Sequence, residues 1–259
     1  MENLYSKLQD HKPLVLNLAN MVTPQHVADA INVIGGSPLM TRSIDEVAEL
    51  VSIAGAVVLN IGTIRADEFA LYEAVGQMAN AQGKPVVLDP VAVGMPFRGQ
   101  FVTRLLDSVQ VDIIRGNAAE ISWFAQQQTA GQGIDALTAT TDVAMAQTVA
   151  HRTGAIVVAS GATDVITDGK QVALVQNNVQ LLAVNVGAGD MLSGLIATFA
   201  AVTRDYYGAA LYATALLGAA GQQATVSAQG LPGRFMPALF DELSVADDAY
   251  ITRYAEVTQ

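Results

Sequence analysis

Five short runs of the chain are almost continuously apolar: Pro13–Leu18 (PLVLNL), Ala56–Gly62 (AVVLNIG), Pro85–Val91 (PVVLDPV), Val111–Asn117 (VDIIRGN) and Ala155–Gly161 (AIVVASG). A strand with one wet face alternates apolar and polar residues, whereas a strand covered on both faces reads as an unbroken Val/Ile/Leu run. These five therefore predict a parallel sheet buried between two layers. The segments between them have helical spacing. Thr23-Pro24 offers an N-cap and a proline at the first helical position, followed by Val27, Ala30, Ile31 and Ile34. Ser43 and Glu46 make a capping-box pattern ahead of Val47, Leu50 and Val51. Arg65–Ala81 sets Phe69, Tyr72, Val75 and Met78 on one face, and further helices are expected over Asn117–Gln126 and Thr141–Arg152.

Beyond Gly161 the period changes. Thr163–Val175 alternates around Asp168-Gly169, a hairpin signal. Val184–Ala201 (VNVGAGDMLSGLIATFAA) then places two glycines and an aspartate before a long apolar helix. Helices are predicted after it over Tyr207–Ser227, Arg234–Leu243 and Asp247–Val257. The Gln/Gly-rich stretch Gln126–Gly133 reads as a loop, because strands resume after it. The whole pattern predicts one α/β domain spanning residues 1–259, with a central, mostly parallel sheet, a late antiparallel hairpin and helices on both faces.

Composition narrows the function. Hydrophobic residues are 51% of the 259, enough for a large core and for further burial between subunits. No run reaches the roughly 18 apolar residues of a membrane span. The nearest, Gly208–Ala220, reads as a buried core helix. Met1–Lys12 is polar and charged, unlike a signal peptide. There is no cysteine, which excludes disulfides, zinc–thiolate sites and thiol nucleophiles and fits a cytoplasmic protein. A net charge of −11 opposes binding to nucleic acid. An anionic substrate would need local help from an arginine, a helix N-terminus or a metal.

Such help is concentrated where the strand runs end. Ligands of open α/β sheets bind beyond the carboxyl ends of the strands. Those ends supply Asn17, Asn20, Asn60, Thr63, Asp89, Arg115, Asn117, Glu120 and Ser160. Singly, Asn, Asp and Ser are ordinary strand-ending and capping residues. Arg115 and Glu120 are not turn residues, and Asp89 sits inside an apolar strand. Gly187 and Gly189 allow close approach of a ligand to the backbone, and the unpaired N–H groups of the helix that follows make an anion hole. Asp190 at its rim either caps the helix or takes a proton from an attacking alcohol while the N–H groups hold a transferring phosphoryl group. Asp89 and Glu120 are hard oxygen ligands suited to Mg²⁺. Arg115 either pairs with nucleotide phosphates or forms a surface salt bridge, for example to Asp112. There is no Walker motif, no G-x-G-x-x-G at Gly187, no G-x-S-x-G and no H-E-x-x-H. His11, His26 and His151 are scattered and read as solvent-facing or structural.

Six blocks in order, LNLANMVTPQHVADAINVIGGSPLM, VLNIGT, VVLDPVAVG, IIRGNAAEI, ASGATDVITDG and VNVGAGDMLSG, resemble the hydroxyethylthiazole kinases of the ribokinase-like superfamily. The resemblance runs from about Leu14 into the helix after Asp190. It implies a ribokinase-like three-layer αβα sandwich. The activity it implies is phosphorylation of the primary alcohol of 4-methyl-5-(2-hydroxyethyl)thiazole by ATP with Mg²⁺, in thiamine synthesis and salvage. Met40 and Asn20 are then expected at the thiazole, with Gly187 against the substrate. Arg115, Ser160 and Asn117 fall to ATP, Asp89 and Glu120 to Mg²⁺ and phosphates, and Gly187, Gly189 and Asp190 to the anion hole and base. The resemblance also implies a homotrimer with the thiazole pocket between neighbouring subunits.

The departures from the family pattern are specific. Many members carry cysteine where this chain has Asp190, whereas the wider superfamily uses aspartate. A carboxylate is the better proton acceptor from an alcohol at neutral pH, so the change favours a kinase but loosens the choice of alcohol. Ala19 stands for a common threonine, Ala92 for a usual glycine and Ser160 for a usual threonine. The competing expectations are a related kinase for hydroxymethylpyrimidine or pyridoxal, an ATP-dependent NAD(P)H-hydrate dehydratase, and a catalytically silent ligand-binding protein.

Overall fold

The computed structural model describes residues 4–126 and 142–259. Among them, the five apolar runs form β1 (Leu14–Leu18), β3 (Ala56–Asn60), β4 (Val86–Asp89), β5 (Ile113–Asn117) and β6 (Ile156–Ser160). A short strand β2 (Ser37–Leu39), the hairpin β7 (Asp164–Thr167) and β8 (Val172–Val175), and β9 (Val257–Thr258) complete a nine-stranded sheet. Its order is β2-β1-β3-β4-β5-β6-β7-β8-β9. Pairing is parallel from β2 to β6 and antiparallel from β6 to β9. The sheet is mostly parallel, with the late hairpin where the alternation around Asp168-Gly169 put it.

Helices cover both faces, giving three layers. One face carries α1 (Leu4–His11), α2 (Pro24–Val33), α8 (Gln180–Val184), α9 (Ala188–Ala200), α10 (Tyr206–Ser227), α11 (Pro232–Val245) and α12 (Asp248–Tyr254). The other carries α3 (Val47–Ile53), α4 (Phe69–Ala81), α5 (Pro96–Leu106), α6 (Ala118–Gln126) and α7 (Val143–Thr153). Strand side chains feed the two cores alternately: Val15, Val58, Val87, Ile113 and Val158 join the first, and Leu16, Leu59, Leu88, Ile114 and Ala159 the second. In α9 every residue from Met191 to Ala200 is buried. No helix among the described residues is long and apolar enough to cross a membrane.

Local chemistry departs from the sequence expectations at several points. Ser43 accepts from Asp45 N and caps a 3₁₀ turn, but Glu46 binds the Thr41 hydroxyl, so the expected capping box does not form. The helix expected over Arg65–Ala81 starts with a 3₁₀ turn and is α-helical only from Phe69. The last helix stops at Tyr254, not Val257: the β-branched Val257-Thr258 pair extends the otherwise open edge of β8. β2 carries Pro38, which an edge strand tolerates. The loop expected over Gln126–Gly133 lies, beyond Gln126, outside the described residues.

Candidate active site

The side chains of a strand alternate between faces, so residues two apart share one. Val15, Val58, Val87, Ile113 and Val158 all face the core shared with α9 and α10. Two residues further along each strand stand Asn17, Asn60, Asp89, Arg115 and Ser160. Parallel register aligns them: Asn60 pairs with Asp89, and Asn117 with Ser160. The polar tips therefore gather on one face, at the carboxyl edge, against the N-terminus of α9.

Gly187 is the N-cap of α9, with φ +104°. A Cβ there would lie 2.7 Å from Thr23 Cγ2, so the turn both needs a left-handed backbone and has no room for a side chain. The first N–H bonded within the helix is that of Met191, to Gly187 O at 2.8 Å. The amides of the preceding turn thus point out of the helix end. Gly189 lies under the Arg115 guanidinium.

Asp190 does not cap its helix. Its Oδ1 accepts from Asn60 Nδ2 at 2.8 Å, and its Oδ2 accepts from the Thr23 hydroxyl. Thr23 correspondingly makes no cap bond to α2, contrary to the expected N-cap role. Asn20 is buried and its amide turns inward: Oδ1 accepts from Val22 N at 2.8 Å and Thr23 N at 3.3 Å, and Nδ2 donates to Asn60 Oδ1 at 3.4 Å. Met40 follows β2 and packs half-buried against the α9-side core.

Arg115 faces the same centre. Its Nε donates to Ser160 Oγ at 3.2 Å and its Nη1 stands 3.6 Å from Asp89 Oδ2. It is not paired with Asp112, whose carboxylate accepts from Val86 N at the far end of the sheet. Asp89 is fully buried; its Oδ2 accepts from Ser193 Oγ at 2.7 Å, and its Oδ1 has no partner. Burial pushes its pKa up to about 7; Asp190 and Glu120 add to the rise, while Arg115 and the Ser193 hydroxyl oppose it.

Asn117 and Glu120 form a reciprocal cap at the start of α6. Glu120 N donates to Asn117 Oδ1 at 3.0 Å and Asn117 N to Glu120 Oε2 at 2.8 Å, while Glu120 Oε1 accepts from Ala92 N at 2.8 Å. Both oxygens of Glu120 are therefore engaged by backbone. No group of three or more carboxylates or imidazoles is placed to enclose a metal among the described residues. Mg²⁺ characteristically takes one or two carboxylates plus waters and substrate phosphates. The buried, unpartnered Oδ1 of Asp89 fits such a role, and Glu120 fits a role through water.

Beside this centre lies a cavity of about 720 Å³, within the range of small-ligand sites. Arg115, Asn117 and Ser160 line its polar side, and Leu182, Leu192 and Leu217 its apolar side. Asp164 also borders it; burial raises its pKa to about 6, against the hydrogen bond from Gly161 N and the charge of Arg115. The structure thus brings together Asp89, Arg115, Asn117, Glu120, Ser160, Gly187, Gly189 and Asp190. His11 is exposed, and His26 packs half-buried against the Phe240 ring with its Nδ1 buried and without a hydrogen-bond partner.

Four further residues belong to the site that sequence alone does not single out. Thr23 was claimed by its helix-start pattern, Asn60 was one strand end among many, and Ser193 looked like a polar interruption of an apolar helix. Asp164 was absorbed into the hairpin. For Ser193 a signal existed: it lies three residues after Asp190, close to the same face of a largely apolar helix.

Residues 5–248 match the hydroxyethylthiazole kinase family. A hydroxyethylthiazole kinase of Lactococcus lactis subsp. lactis is 47% identical over 249 residues, 96% of this chain and 100% of the relative. The solved structure of a hydroxyethylthiazole kinase protein from Pyrococcus horikoshii superposes with a TM-score of 0.88 at 30% identity, over 98% of this chain and 96% of that one. A Staphylococcus aureus pyridoxal kinase in complex with AMP-PCP and pyridoxal shares the fold, with a TM-score of 0.59 at 16% identity over 82% and 88% of the two chains.

Proposed function

Since the chain belongs to the hydroxyethylthiazole kinase family and is a ribokinase-like phosphotransferase with an alcohol acceptor, we propose how its own residues carry that reaction. The γ-phosphoryl group of ATP passes to the primary alcohol of 4-methyl-5-(2-hydroxyethyl)thiazole. ATP occupies the 720 Å³ cavity, its base toward Leu182, Leu192 and Leu217 and its phosphates toward Arg115, Asn117 and Ser160. Asp190 takes the proton of the alcohol. The outward amides at Gly187–Asp190 hold the negative charge of the phosphoryl group in flight. Asp89 would hold Mg²⁺ through its unpartnered Oδ1 and Glu120 through water; the ion would supply charge neutralisation on the phosphates. Gly187, Asn20 and Met40 form the acceptor side.

One observation carries this reading: Asp190 turns its carboxylate away from its own helix end, toward the strand tips, beside the cavity that Arg115 and Ser160 line. The test is a panel of alcohols with the purified protein and MgATP. The thiazole alcohol should be phosphorylated far faster than pyridoxal or the pyrimidine alcohol. ATP binding without turnover of any alcohol would instead mark a silent binder.

We read residues 1–259 as one kinase domain acting in the cytoplasm, as a homotrimer whose thiazole pocket is completed by a neighbour. Met21, Val22, Val184 and Val186 support the assembly: all four are apolar, strongly exposed and within three residues of the neighbouring pair Thr23 and Gly187. Sedimentation at assay concentration tests it, and a fully active monomer would overturn it.

A further inference from the structure

Asp190 is held from two sides by groups outside its own helix. Asn60, at the tip of β3, donates to Oδ1 at 2.8 Å, and Thr23, at the mouth of α2, donates to Oδ2. The Asn60 amide can face only this way. Its Oδ1 accepts from Gly62 N at 2.8 Å, and a backbone N–H can only donate, so the NH₂ end is left for Asp190. Thr23 is equally constrained. It is buried, and its methyl group closes on the Gly187 backbone. Its hydroxyl has one other acceptor in reach, Asn20 Oδ1 at 3.5 Å. A threonine before a helix ordinarily caps the first turn; here the hydroxyl crosses to another helix instead.

We propose that Thr23 and Asn60 are positioning residues for phosphoryl transfer. Together they fix the angle of the Asp190 carboxylate. A carboxylate offers about four lone-pair sites, so one donor on each oxygen leaves the others free for the alcohol. The pair also ties the base to the acceptor-side loop, because Asn20 bonds both Asn60 and the backbone of Val22 and Thr23. A base held at one angle meets its proton in line, whereas a freely turning one is mostly misaligned. The inference rests on the reading of Asp190 as the base.

The test compares Thr23→Val and Thr23→Ser, alone and with Asp190→Asn, by steady-state and single-turnover assays with MgATP and the thiazole alcohol. Thr23→Val should lower kcat by about tenfold to a hundredfold, the range for one hydrogen bond to a charged group. The KM for ATP should stay within about twofold, and Thr23→Ser should restore most of kcat. In the Asp190→Asn background, Thr23→Val should change kcat less than about twofold, since both act through one carboxylate. The pairing is overturned if Thr23→Val keeps kcat, if Thr23→Ser is as impaired as Thr23→Val, or if the full loss repeats without the Asp190 carboxylate. Asp190→Asn with normal kcat would sink the base assignment itself, and the pairing with it. Melting curves check each fold, and Thr23→Ala is read the same way should the valine variant not fold.

Discussion

Gly189 lies directly beneath Arg115: a methyl group on its Cα would stand 2.1 Å from Nη1 and 2.6 Å from Cζ. The obstacle is the far end of a flexible side chain, so Gly189→Ala should fold normally and push the guanidinium aside. Arg115 would then lose its approach to Ser160 and to the cavity. We expect the KM for ATP to rise about tenfold or more, the scale of a charge-assisted contact, with little change in melting temperature. An unchanged KM for ATP would separate Arg115 from nucleotide binding.

Asp190→Asn keeps the shape of the side chain and removes the proton acceptor. kcat should fall by about a hundredfold to ten-thousandfold, the usual contribution of a general base, while the Kd for ATP, measured by calorimetry, stays near that of the parent. A weakened Kd with kcat intact would make Asp190 a nucleotide ligand.

Asp89 predicts a pH dependence. Its folded pKa of about 7 lies above the unfolded value of roughly 3.9. Between the two the native state binds the extra proton, so the contribution of this group to stability is greatest at acid pH and declines as pH rises toward 7. Above that the fold carries a buried carboxylate. Asp89→Asn should melt higher than the parent at pH 8, and the gap should be clearly smaller at pH 5, as seen by calorimetry at both values. An equal gap at the two pH values would mean that Asp89 does not titrate between them.

Ala92 has φ +54°, in the left-handed region, and its N–H is held by Glu120. The strain of a Cβ there outweighs the extra freedom glycine has when unfolded. Ala92→Gly should therefore stabilise the fold by about 0.5–1 kcal/mol, or roughly 1–4 °C in melting temperature. A lower melting temperature would show the strain to be absorbed elsewhere.

Much of this was legible in the chain. The unbroken runs at Ala56–Gly62 and Ala155–Gly161 announced strands covered on both faces, and the place of Asn60, Asp89, Arg115 and Ser160 at the ends of such runs was enough to put them at one edge. What the sequence could not supply was which neighbour each group chooses. Thr23 has the spacing of a helix cap, and only the approach of α9 across 167 positions of chain redirects its hydroxyl to Asp190. Asn117 and Glu120 carry the spacing of a reciprocal cap, a local pattern that competes with the ATP and metal roles the resemblance implies for them. Short elements such as β2 and β9 escaped because three or two residues hold no period; partner edges make them strands.

The helix that bears Asp190 has no wet side from Met191 to Ala200. Nothing can loosen it while the sheet and its outer helices still stand. The seat of the base should therefore fail only together with the sheet and the helices that cover it.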